Sequence, residues 1–169
     1  MEVGNLANAT EDRSHFGAWV IMSSPLILSF NLSDPVRVAR AWPFITNRAL
    51  LAINQRWAGS PGKRLALTSS WQAWTKPLGK SSHALLLIGT GSELVTASMP
   101  LRNITSDLDP TIVAKVCVRD VYTGQELPPL PVSASLVARL PVHDSAFYCL
   151  RPSGADGGCE DLGGCPSGA

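Results

Sequence analysis

Long apolar runs are missing from this 169-residue chain. The longest, such as Ala84–Ile88, falls far short of the roughly 20 residues that carry a helix across a bilayer, so no membrane-spanning helix is expected. Charge of one sign is missing as well: 14 Lys and Arg stand against 13 Asp and Glu, a formal net charge of +1. Without a basic stripe, nothing favours a nucleic-acid or acidic-membrane partner. Met1–Thr10 has neither the basic start nor the apolar segment of a secretory signal. No Gly-x-Ser-x-Gly elbow occurs, which argues against a serine hydrolase. No Cys-x2-Cys pair occurs and no histidine follows the cysteines at ligand spacing, which argues against a zinc site. No internal repeat is present, and no cofactor is expected. The length allows one domain, or one domain plus a piece of another.

What is present points to an oxidising compartment. Asn8-Ala9-Thr10, Asn31-Leu32-Ser33 and Asn103-Ile104-Thr105 are glycosylation sequons. The four cysteines, Cys117, Cys149, Cys159 and Cys165, permit two disulfides. Cys117 can pair with Cys149 if their strands are neighbours, and Cys159 with Cys165 would close a short loop; the sequence does not choose. Sequons and cysteines without a signal suggest a secretory protein that has lost its N-terminus.

Along the chain, the hydrophobic period changes once. Thr10 can cap a helix whose first turn carries Glu11 and Asp12, with Phe16, Trp19, Val20 and Ser23 at helical spacing and Pro25 as its stop. Leu26–Phe30 is nearly all apolar, which predicts a strand covered on both faces, as in a parallel sheet. Asp34-Pro35 opens a second helix, and Thr46-Asn47 caps Arg48–Asn54. Residues 58–63 form a turn-rich linker. Seven short, turn-bounded strands are then expected: Arg64–Thr68, Gln72–Thr75, His83–Ile88, Leu94–Ala97, Ala114–Tyr122, Ser133–Leu140 and Ala146–Leu150. Thr123-Gly124 and Pro128-Pro129 read as turns between them. Such a series is what an antiparallel sandwich requires. Residues 151–169 have too few large apolar groups to build a core and read as a disordered tail.

Glu2-Val3-Gly4-Asn5, Ala18-Trp19-Val20-Ile21-Met22-Ser23-Ser24-Pro25-Leu26 and Ala52-Ile53-Asn54-Gln55 together resemble the C-terminal part of the family 27 glycoside hydrolases. These are the α-galactosidases and α-N-acetylgalactosaminidases. Further on, Ser70–Leu78, Val118–Tyr122 and Pro141–Leu150 resemble, more loosely, strands of that family's C-terminal sandwich. Two steps depart from the pattern. Asn31-Leu32-Ser33 stands where relatives carry an acidic residue, Leu or Ile, and Arg, and Arg56-Trp57-Ala58-Gly59 stands where they carry Asp-Pro-Leu-Gly. The resemblance implies a mixed fold: residues 1–57 as the end of a (β/α)8 barrel, then an antiparallel β-sandwich over residues 64–150. It implies retaining hydrolysis of terminal α-galactosides without a cofactor, in a secreted, lysosomal or vacuolar enzyme that is a homodimer at full length. Galactose, N-acetylgalactosamine and arabinopyranose all stay open as the sugar. The alternative is a non-catalytic carbohydrate-binding or interaction module.

A retaining glycosidase needs two carboxylates about 5–5.5 Å apart. The resemblance puts both upstream of Met1, so no catalytic, substrate-binding or metal residue is assigned here. Glu2 is nearest to where substrate would sit, and a rim or packing role is expected for it. Asp12, Arg13 and His15 are read as a solvated helix start rather than an acid/base cluster. His83 and His143 are read as surface residues. Trp71 and Trp74, three apart on one strand, should face opposite sides, one in the core and one at an interface rather than on a sugar-stacking platform. Without neighbouring barrel strands, Leu26, Ile27, Leu28 and Phe30 would forfeit roughly 6–12 kcal/mol of burial. Residues 1–57 are therefore expected to be loosely ordered beside a protected sandwich.

Overall fold

The computed structural model describes residues 1–104, 113–154 and 158–159. Three helices open the chain: α1 (Ala9–Ile21), α2 (Pro35–Ile45) and α3 (Arg48–Gln55). Each starts on a side chain that answers an orphan backbone N–H. Asn8, not Thr10, caps α1 by accepting from the Glu11 N–H at 2.9 Å. Asp34 caps α2 with Pro35 in the first turn, and Asn47 caps α3 through the Leu50 N–H. Helix α1 ends well before Pro25, because Ser23 turns into the left-handed region at φ 55°.

The strands are β1 (Lys63–Leu67), β2 (Trp71–Gly79), β3 (Ser82–Gly89), β4 (Val95–Pro100), β5 (Lys115–Asp120), β6 (Glu126–Pro131), β7 (Ser135–Leu140) and β8 (Ser145–Pro152). Six of them form one antiparallel sheet in the order β1-β2-β3-β8-β5-β6, and β4 pairs with β7 in a two-stranded ribbon. The ribbon covers one face of the sheet over a core of Leu85, Leu87, Val116, Val118, Leu136, Leu140, Tyr148 and Leu150. The helices cover the other face over Phe16, Val20, Ile21, Leu50, Ile53, Leu78, Ala84, Leu86 and Phe147. The sheet is thus the middle of three layers.

Several expectations are corrected by this arrangement. Leu26–Phe30 is not a strand, and among the described residues nothing pairs with it. Its burial alternates, with Ile27 exposed and Phe30 buried. The doubly covered apolar strand is β3 instead, in an antiparallel sheet, because helices and ribbon shield its two faces. Pro128-Pro129 is not a turn. It lies in β6, an edge strand whose register with β5 slips between Val116 and Val118. Edges and bulges are where a strand tolerates prolines, which have no N–H to donate. Arg151 and Pro152 belong to β8 rather than to a tail. Of the rest of the expected tail, residues 155–157 and 160–169 lie outside the described residues.

Residues 1–57 are also not left without support. Phe16, Val20, Ile21, Leu50 and Ile53 are each 0 or 1% exposed against the sheet. The linker is part of the same packing. The Gly62 N–H donates to Ile21 O at the end of α1 at 2.9 Å. A Cβ at Gly62 would come 2.5 Å from that carbonyl oxygen, so glycine is what permits the contact.

Candidate functional site

The Glu2-Val3-Gly4-Asn5 stretch forms the centre of a polar network. Gly4 sits at φ 85°, and a Cβ at this position would strike the Phe30 ring at 2.7 Å, so the loop requires glycine here. Its N–H donates to Asp12 Oδ1 at 2.8 Å, and Arg40 Nε lies 2.7 Å from Asp12 Oδ2. Arg40 also donates to the Gly4 and Leu6 carbonyls at 2.7 and 3.0 Å. Glu2 accepts from Asn5 Nδ2 at 3.1 Å and from Ser29 Oγ at 3.3 Å, and Arg37 reaches Asn5 Oδ1. Glu2 is exposed on this rim.

The reading of Asp12, Arg13 and His15 as a solvated helix start is wrong. Asp12 is fully buried beneath Arg40. Arg13 pairs with Asp144 and lies over the Tyr122 ring, 5.1 Å from its centroid. Tyr122 Oη is 2.8 Å from Ser145 Oγ, and burial pushes its phenol well above the ordinary value. His15 Nε2 accepts from the Glu2 N–H at 3.1 Å, so the ring proton sits on Nδ1. Burial, and then the positive chain terminus, lower its pKa below 6.5, against opposing pulls from Glu2 and Asp12. These side chains join layers, and a sequence window cannot show a partner 131 residues away.

His83 is also corrected: it lies in β3 and is buried. His143 is exposed and its Nδ1 stands 3.3 Å from Glu11 Oε1. Trp71 and Trp74 are both half-buried on opposite faces, one against the ribbon-side core and one against the helix-side core. Arg64 lies 5.8 Å from the Trp74 ring centroid. The sequon asparagines Asn8, Asn31 and Asn103 are all exposed. Asn31 accepts from the Ser33 N–H at 3.0 Å, and Thr105 of the third sequon lies outside the described residues.

Neither of the pairings that the sequence left open forms. Cys117 bonds to Cys159, with Cα atoms 5.6 Å apart. Although β5 and β8 are neighbours, their register sets Cys117 opposite Arg151 and Cys149 opposite Arg119. The two cysteines are thus diagonal rather than facing. Cys149 is disulfide-bonded as well, and Cys165 lies outside the described residues.

Sequence reasoning missed Lys76. It is fully buried in β2, and its Nζ donates to the Ile53 and Asn54 carbonyls at the C-terminal end of α3. There the cation meets the negative end of the helix. Burial nevertheless lowers its pKa from 10.5 to about 8. Between those values the unfolded chain holds a proton that the folded chain has released, so stability rises with pH across that window. In urea titrations from about pH 8 to 10 the midpoint should climb for the native chain and stay flat for Lys76→Met; an equal climb in both would refute this.

Several carboxylates are tied into structural contacts. Asp12 and Asp144 are held by arginines, and Asp34 caps α2. Asp120 accepts from the Tyr122 and Thr123 N–H groups, and Glu126 stands 3.9 and 3.8 Å from Arg119 and Arg151. Among the described residues no group of three His, Cys, Asp or Glu side chains could hold a metal.

Comparison with known proteins places this architecture. Residues 68–150 match the alpha galactosidase C-terminal beta sandwich domain. Over those residues the chain carries that sandwich domain, and along most of its length it is similar to the C-terminal portion of α-galactosidases. It is 28% identical over 155 residues to the α-galactosidase of Cyamopsis tetragonoloba, covering 90% of this chain and 35% of that protein. The Coffea arabica enzyme is 27% identical, with 90% and 38% covered. The chain therefore spans somewhat over a third of the length of these curated α-galactosidases. The solved Saccharomyces cerevisiae α-galactosidase shares the fold at a TM-score of 0.77 and 22% identity, covering 90% of this chain and 46% of that one. The Mortierella vinacea α-galactosidase I gives 0.73 and 22%, covering 86% and 36%.

Proposed function

We propose that this chain forms the C-terminal part of an enzyme that hydrolyses terminal α-galactosides with retention of configuration. The match of residues 68–150 to the α-galactosidase sandwich carries this reading. On it, the nucleophile and the acid/base carboxylate come from a part of the enzyme outside this sequence, consistent with the structural ties of the carboxylates described above. No cofactor takes part, and the whole enzyme is a homodimer working in a secreted, lysosomal or vacuolar setting. The Cys117–Cys159 disulfide fits an oxidising compartment.

Within that enzyme residues 1–57 supply the closing elements of the (β/α)8 barrel, with Leu26–Phe30 as a strand between α1 and α2. Supporting this, Leu26–Phe30 lies outside any helix and has no strand partner among the described residues. The stretch around it exposes Ile27, Leu32, Val36 and Trp42, four large apolar side chains that neighbouring barrel elements would cover. The carbohydrate-binding alternative is less well supported, because Trp71 and Trp74 are packed against the two cores rather than displayed as a platform.

The reading requires the 169-residue chain alone to be inactive, since removing both carboxylates abolishes the covalent route. Purified chain should release no p-nitrophenol from an aryl α-galactoside above a mock preparation. Turnover by the pure chain would sink the proposal that the catalytic groups lie elsewhere.

A further inference from the structure

We propose that the groove between α1 and the turn joining β7 to β8 binds a small, neutral, polyhydroxylated molecule, a monosaccharide or similar polyol. The groove is shallow and open to solvent, measures about 450 Å³, and is lined by Glu11, Ser14, His15 and Ala18 on one side and by Ile88, Gly89, Thr90 and His143 on the other. That volume lies within the range of small-molecule sites. Residues 11, 14, 15 and 18 fall on a single stripe of α1, so the helix presents them together.

The opposite wall is built rather than incidental. Ser14 Oγ donates to His143 O at 2.8 Å, and Arg13 holds the next residue, Asp144. The Gly89 N–H donates to Asp144 O at 2.8 Å. A Cβ at Gly89 would come 3.0 Å from Pro141 O, so the turn can close on β3 because residue 89 is glycine. His143 itself adopts φ 57°, a conformation rarely held by residues other than glycine unless the surroundings impose it.

The polar groups select the ligand. Glu11 Oε1 already meets His143 Nδ1 and Asn8 Nδ2, each at 3.3 Å, so one of its oxygens is engaged by the groove's own groups. Acceptor capacity remains on the second Glu11 oxygen. His15 takes its backbone hydrogen bond on Nε2, which leaves Nδ1–H to donate. The exposed Thr90 hydroxyl both donates and accepts. The lining thus combines donors and acceptors with the apolar Ala18 and Ile88, a composition matched by hydroxyls on a C–H framework. A carboxylate or phosphate ligand would meet Glu11, and an amine would have to displace His143.

The test is titration of the isotopically labelled 169-residue chain with D-galactose and with myo-inositol, followed by amide chemical shifts. Saturable shifts at Gly89, Thr90 and His143, with a Kd in the millimolar range, about 1–10 mM, are expected. Thr90→Val should weaken them about fivefold through loss of one hydrogen bond, with the rest of the spectrum unchanged. Shifts absent, shifts confined to other surfaces, or indifference to Thr90→Val would each overturn the proposal. So would a response of His15 and His143 to zinc ion with none to either polyol. Hydrolysis has no part in this readout, so it can fail without touching the α-galactosidase reading, and the reverse also holds.

Discussion

Cut to residues 64–169, the sandwich is expected to lose its cooperative fold. The six-stranded sheet is covered on both faces, and removing the helices bares Leu78, Leu86 and Phe147, each at most 2% exposed in the whole chain. At about 1.5–3 kcal/mol per side chain, that is a loss of roughly 5–9 kcal/mol. A typical domain has only about 5–15 kcal/mol in total. Lys76 would lose the Ile53 and Asn54 carbonyls and be left as a bare ammonium on an apolar face. Near-ultraviolet circular dichroism and hydrogen exchange decide the matter. The shortened chain should show no fixed aromatic signal and no protected β3 amides, whereas the full chain should protect α1 and β3 in one transition. A shortened chain that melts sharply near the full-length temperature would restore the independent sandwich over residues 64–150 read from sequence.

Arg40→Met should be the most damaging single change to the polar network. It leaves Asp12, fully buried, without its cation. Removing one partner of a buried pair costs about 3–5 kcal/mol, because the other charge stays desolvated. Arg40 keeps some solvent contact, with its side chain 27% exposed, so the lower end of that range applies, a fall in Tm of about 10 °C. The double variant Arg40→Met/Asp12→Leu should recover much of the loss, since no unpaired charge remains. If the single variant melts within a degree or two of the native chain, Asp12 is not the structural centre of the Gly4 loop.

The two experiments probe opposite sides of one lesson about legibility. Capping residues could be read directly, because Asp34, Pro35 and Asn47 act on N–H groups two or three residues away. Seven of the eight strands were legible for the same reason: turn residues and β-forming side chains act locally. The strand missed, β6, carries Pro128 and Pro129, which local rules assign to a turn and only an edge position makes acceptable. Asp12 and Arg13 were misread because Arg40 and Asp144 lie far along the chain. Lys76 was passed over because a lysine within a strand gives no sign that a helix end will close over it.

By itself, then, the sequence determined the starts of α2 and α3, most strand positions, the change from helical to strand period near residue 60, and the resemblance to the α-galactosidases. All of these rest on side chains acting within a few residues or on strings of identities. The tertiary structure alone decided which apolar run is covered on both faces. Leu26–Phe30 and Ala84–Ile88 look alike as strings, but only β3 lies between the helix layer and the ribbon. It also decided the disulfide. Pairing depends on strand register, and the register that sets Cys117 opposite Arg151 keeps it from facing Cys149 and leaves it to Cys159. Long-range coverage and register are properties of the assembled sheet, and no local window of residues contains them.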